Sequence, residues 1–215
     1  MNRTRLNTFF LMAAALVLFS GCSTVYYSAM EKIGKEKRHI LVSDVEKVQK
    51  SQSMAQDEFK DALARIKELY AYEGGNLEIF YENLKGSTEQ CDARAVDIEK
   101  RINQVEQVAW DLFAEWEGEI NQINDPKLKA SSKQSLTEAR SRYKRMEIAM
   151  NKSSQGMYPV LAKLKDYTLY LKHNLNAKAV GSLGGEVVSI EQDVASLIDE
   201  MNLSIREADN FIKNF

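Results

Sequence analysis

From Tyr81 to Trp116 the chain sets an apolar or aromatic residue at steps of three and four: Tyr81, Leu84, Thr88, Cys91, Ala95, Ile98, Ile102, Val105, Ala109, Leu112, Trp116. Thr88 is the one departure. A 3.5-residue repeat sustained this long predicts one continuous helix whose stripe must be buried against other helices. Three further stripes follow the same stepping. The first is Leu41, Val45, Val48, Gln52, Ala55, Phe59, Ala62, Ile66, Leu69, with Gln52 as a polar intruder that fixes register. Another runs from Ser132 through Leu136, Ala139, Tyr143, Met146, Met150, Ser153, Met157, Val160, Leu164 and Tyr167 to Leu171. The last is Leu183, Val187, Ile190, Val194, Leu197, Met201, Ser204, Ala208, Phe211.

Breaker residues divide the stripes into four helices. Ser43-Asp44-Val45-Glu46 has capping-box spacing and predicts a fresh helix start after Gly34 and a charge-rich stretch. Glu73-Gly74-Gly75-Asn76 ends that helix, with Asn76 as the next cap. The second helix is expected over about Leu77 to Asn124. Asp125 then serves as N-cap and Pro126 as first helical residue of the third. Pro159 interrupts the third pattern, but the periodicity resumes in phase, so a kink near Gly156 is expected and not a break. Lys172-His173-Asn174-Leu175-Asn176 reads as the third turn. Gly181, Gly184 and Gly185 weaken the first turns of helix four. Short links make sequential helices antiparallel neighbours. Leu63, Val108, Phe113, Ile120, Ile148, Leu161, Ile198 and Ile205 widen the stripes towards a closed bundle. The fold expected is all-α: an elongated antiparallel four-helix bundle with coiled-coil-like heptad packing.

The first 22 residues carry a different signal. Arg3 and Arg5 precede an apolar run from Phe9 to Phe19, and Ser20-Gly21-Cys22 follows. Eleven apolar residues are too few to span a bilayer, for which about 20 are needed, and the pattern is that of an export signal. Leu18-Phe19-Ser20-Gly21-Cys22 resembles the lipobox of bacterial lipoproteins, with Phe19 where leucine is usual. That resemblance implies a signal peptide over 1–21, lipid attachment at Cys22, and a membrane held through that lipid. Ser23, in place of aspartate, implies the outer membrane, facing the periplasm, in a Gram-negative envelope. Residues 22–42 would be a partly helical membrane-proximal segment and 43–215 the bundle.

Charge narrows the function further. Removing Arg3 and Arg5 from 29 basic residues leaves 27 against 31 acidic, a formal net charge of −4, which is not a nucleic-acid binder's balance. Nine acidic residues lie between Glu89 and Glu119, and eight basic ones between Lys127 and Lys152. Folding about Asp125 and Asn174 lays the basic half of helix three beside acidic helices two and four. A second use of that run is contact of Lys127, Lys129 and Lys133 with anionic headgroups.

Catalytic and metal motifs are not found. A di-metal bundle needs Glu-x-x-His twice, and Glu36-Lys37-Arg38-His39 is the single instance. There is no phosphate loop, nucleophile elbow or zinc-spaced cysteine pair. Cys91 lies on the stripe as a small buried hydrophobe. Trp110 lies off the stripe and Trp116 on it, so Trp110 is the surface contact.

Val25-Tyr26-Tyr27-Ser28-Ala29-Met30-Glu31-Lys32, Phe59-Lys60-Asp61-Ala62-Leu63 and Leu171-Lys172-His173-Asn174-Leu175-Asn176-Ala177 resemble a family of bacterial envelope proteins catalogued only as a domain of unknown function. The resemblance covers essentially all of the mature chain. It implies a lipoprotein-like signal and a helical body, and no assigned activity.

The function expected is that of a non-enzymatic, membrane-anchored periplasmic lipoprotein acting as spacer or docking scaffold, without cofactor or metal. Tyr72, Asn76, His173, Asn174 and Asn176, at the turns distant from the anchor, would contact a protein or peptidoglycan. Self-association through exposed stripes is a further expectation. The alternative is a ligand carrier or enzyme with a pocket between helices near Pro159.

Overall fold

The computed structural model describes residues 37–70, 76–174 and 187–215, without the side chains of 69 and 70. Cys22, Tyr72, Asn176, Leu183 and the glycines before helix four lie outside the described residues. The chain divides into two units, Met1–Leu41 and Val42–Phe215. The described residues form four helices: α1 (Lys37–Tyr70), α2 (Leu77–Gln122), α3 (Pro126–His173) and α4 (Val187–Lys213). Among the described residues there is no strand. With 46 and 48 residues, α2 and α3 are each roughly 70 Å long at the helical rise.

Cross-helix bonds fix the arrangement of the second unit. Between α1 and α2, Ser51 bonds Asp97, Arg94 bonds Glu58 and Ser87 bonds Asp61, so numbers rise on one helix as they fall on the other. Arg140 reaches Glu117, Asn151 reaches Glu106 and Lys165 reaches Asp92 between α2 and α3. Lys152 pairs with Glu200, and Lys163 with Asp193, between α3 and α4. The ring closes from α4 to α1 through Asn202 to Gln56 and Glu191 to Lys67. Neighbours are therefore antiparallel throughout, with α1 and α3 diagonal: an antiparallel four-helix bundle. The predicted placing of α3's basic half between two acidic helices is what these pairs realise. Of the three tip lysines, Lys129 donates to the carbonyl of Asn121 at 3.0 Å, while Lys127 and Lys133 are exposed.

The heptad stripes form the core. Val45, Ala55, Phe59, Leu84, Cys91, Ile98, Met146, Met157, Leu164, Ile190, Leu197, Met201 and Phe211 are all buried. The three-residue link from α2 to α3 also forms as its sequence dictates. Asp125 Oδ1 accepts from the backbone N–H groups of Lys127 and Leu128 at 2.8 and 3.0 Å, and Pro126 needs no partner there. At Pro159 the helix continues through to His173.

Three expectations are corrected. No helix begins at Ser43: α1 is already helical at Lys37, and Asp44 pairs with Lys47 at 2.6 Å. A capping box requires a non-helical residue at its head, and none is present. Ile148 does not widen the stripe but is 56 % exposed. It stands two residues from both buried Met146 and buried Met150, about 200° round the helix. Leu112 and Trp116 are only half-buried, and Phe113 and Ile120 take the inner positions. A straight helix drifts about 20° per heptad from a strict 3.5 repeat, so a long stripe slides off its own seam.

Gln52 and Ser153 meet across the bundle diagonal, Gln52 Nε2 donating to Ser153 Oγ at 2.7 Å, with both residues buried. Gln52 Oε1 has no partner. Ser153→Ala should cost about 1–3 kcal/mol in urea denaturation, because the Gln52 amide loses its acceptor. Adding Gln52→Leu should restore most of that loss, since replacing both polar partners by apolar groups can be nearly neutral.

Candidate docking groove

Of the residues that the sequence marks for partner contact, Asn76 and Asn174 make capping bonds. Asn76 Oδ1 accepts from the N–H of Glu78 at 3.0 Å, satisfying an open donor of α2. At the end of α3, Asn174 Nδ2 donates to the carbonyl of Tyr170 at 2.9 Å, and its N–H bonds Leu171. His173 is the last residue of that helix and is exposed. Because α2 and α3 are antiparallel, Asn76, His173 and Asn174 share one end of the bundle. A groove of about 250 Å³ lies there between α2 and α3, lined among others by Tyr81, Thr88, Lys165, Thr168 and Lys172. Thr88 and Thr168 approach to 3.2 Å, and each also donates to the carbonyl four residues earlier.

A larger groove, about 900 Å³, runs between the same helices nearer the Asp125 turn. Trp110 stands on its wall, 70 % exposed. Asn103, Gln107 and Ala114 of α2 line it with Trp110, and Arg140, Tyr143, Lys144 and Glu147 face them from α3. One end is built on an aromatic cluster: Phe113 meets Tyr143 edge-on at 5.5 Å, and Tyr143 meets Phe211 at 6.0 Å. The Arg140 guanidinium lies 5.8 Å from the Phe113 ring centroid and bonds Glu117 at 2.8 Å. A shallower extension follows α2 past Asn103 and Gln107 to Glu99 and Val96, where Glu99 accepts from the Tyr158 hydroxyl.

Between Lys100 and Glu115 the exposed positions of α2 are Asn103, Gln104, Gln107, Trp110 and Ala114, none of them charged. Glu106 is half-buried beside them and accepts from Asn151 Nδ2 at 2.7 Å on one oxygen. The sequence names Trp110 as a surface contact and sets Tyr143 on the inward stripe of the third helix, but reading inward stripes leaves Asn103, Gln107 and Arg140 out of any site. The signal was a second, outward stripe at the same stepping (Val96, Lys100, Asn103, Gln107, Trp110, Ala114), nearly free of charge in a chain where 28 % of residues are charged.

A Cβ on Gly156 would stand 2.5 Å from Glu200 Oε2 and 3.4 Å from Leu197 Cδ1, so α4 side chains fill the space beside the third helix there. Among the described residues no three of His, Cys, Asp and Glu gather to hold a metal ion. Cys91 is buried, and burial pushes its thiol up from 9.0 to about 12, with Glu58 and Asp61 adding to the shift. The hydroxyl of Tyr158 is raised to about 12, first by its bond to Glu99. Tyr143 is raised by burial in the same direction. Each folded group holds its proton more tightly than the unfolded chain does. Their contribution is complete below the unfolded values and falls as pH climbs towards the folded ones. Stability measured by denaturant should therefore drop between about pH 9 and 12, and Cys91→Ala should make that slope shallower.

One family model, described as "Protein of unknown function (DUF2959)", matches residues 26–215. No curated protein matches the chain.

Proposed function

The chain belongs to that DUF2959 family, and from this premise we propose that it is a non-enzymatic docking scaffold of the cell envelope, held by lipid on Cys22 at the periplasmic face of an outer membrane. Two acyl chains would hold it stably where a single chain binds only marginally. No described helix is long and apolar enough to cross a membrane.

The observation that carries the docking role is the groove at Trp110. A bundle that fills its centre with Phe59, Met146, Met157 and Phe211 has its room for recognition on the outside. There, an indole 70 % exposed on the wall of an open groove adds little to the fold and much to a contact. The groove at the opposite end, beside Asn76 and His173, is the smaller of the two surfaces.

Growth with labelled palmitate tests the anchor. The native chain should carry label and sediment with membranes, and Cys22→Ser should do neither; label retained by Cys22→Ser overturns lipid attachment at that residue. A photo-crosslinking residue in place of Trp110, used in intact cells, should form adducts that the same residue at exposed Glu138 does not. Equal yields at the two positions would remove the docking role.

A further inference from the structure

We propose that the Trp110 groove is a carbohydrate-binding site for an uncharged, acetamido-bearing sugar chain. The inference deepens the docking role but draws on the groove alone, independent of any lipid on Cys22.

Three features of the lining select this chemistry. Trp110 offers an exposed flat ring, and a sugar presents a face of C–H bonds that covers such a ring while its rim stays polar. Asn103 and Gln107 follow on the same exposed face. Side-chain amides donate and accept together, as hydroxyl and acetamido groups require. From Asn103 to Ala114 this neutral face extends over three helical turns, roughly 16 Å, which suits a short chain of sugars.

The carboxylates then decide between occupants. Glu106, Glu117 and Glu147 line the groove with Arg140 and Lys144; Glu117 pairs with Arg140 at 2.8 Å and Glu147 with Lys144 at 2.6 Å, whereas Glu106 is met by the Asn151 amide on one oxygen only. An apolar protein face laid over Glu106 would strip water from its charge without replacing it, a cost of several kcal/mol when no partner is supplied. Sugar hydroxyls replace that water with charge-assisted hydrogen bonds. An anionic ligand would meet the carboxylate of Glu106, the lining cations Arg140 and Lys144 being already paired with Glu117 and Glu147.

The test uses the full chain carrying Cys22→Ser and the probe tetra-N-acetylchitotetraose, followed by indole fluorescence and calorimetry. Saturable binding is expected, weakened roughly tenfold by Trp110→Ala with an unchanged melting temperature, and kept by Trp116→Phe. Gln107→Ala should weaken it less. Absence of saturable binding, or binding indifferent to Trp110→Ala, overturns the proposal. So does a concentration-dependent dimer in sedimentation that Trp110→Ala abolishes and the sugar does not displace, since a second copy would then cover the groove. Palmitate labelling stands apart: acylated chain without sugar binding sinks the site alone, and sugar binding without acylation sinks the anchor alone.

Discussion

Helices that are apolar every three and a half residues must bury that edge, and four such edges sharing one axis settle most of this molecule. Each fully buried Leu, Ile, Phe or Met contributes about 1.5–3 kcal/mol, and Phe59, Leu84, Ile98, Met146, Leu164 and Phe211 are a few of many. Surface ion pairs contribute about 0–1 kcal/mol each. Stability therefore comes from the stripes. Which helix lies beside which is a smaller energy difference, and there the charges have their say. Lysines and arginines of α3 reach α2 on one side through Arg140 and Lys165, and α4 on the other through Lys152 and Lys163.

Packing that is uniform along a heptad tolerates sliding by whole repeats, so register needs something less uniform. Polar contacts inside or at the edge of the core provide it. Gln52 finds Ser153 across the diagonal, and α1 is pinned to α2 by Ser51 with Asp97, Glu58 with Arg94 and Asp61 with Ser87. The Arg94–Glu58 pair uses Nε and Nη2 of the guanidinium, and its side chains are only about one-fifth exposed. A fork of that kind is specific in direction as well as charge. Sliding α1 by one heptad would strand all of these groups together, and a buried polar group without a partner costs about 1–3 kcal/mol.

Much of this was legible because periodicity, caps and links are local. The Asp125–Pro126 start, the Asn76 cap and the inward stripes of α2 and α3 each depend on residues a turn or two apart. Ser43 misled for the opposite reason: its capping pattern is local, but whether a helix already runs through it depends on residues before it. Leu112 and Trp116 misled because a small angular mismatch accumulates with length. The groove was only half legible. Trp110 stood out by lying off the stripe, whereas Arg140 and Tyr143 belong to it through a neighbouring helix, and which face of α3 meets Trp110 depends on the register set across the bundle.

The two sides of α2 make unlike demands on sequence. Its inner edge must be apolar, and substitutions there are limited by packing. Its outer edge faces water and tolerates nearly any good helix former, with Glu and Lys as the ordinary choices. Between Lys100 and Glu115 the exposed positions instead hold amides, alanine and an indole. Asparagine and tryptophan are poorer helix formers than lysine or glutamate, so the helix itself gains nothing from them. Trp110 buries too little of its ring to repay its place through the core. The physical advantage of such a face is realised when something neutral and hydrogen-bonding lies against it, and the half-buried Glu106 carboxylate beside it favours a partner that keeps it solvated.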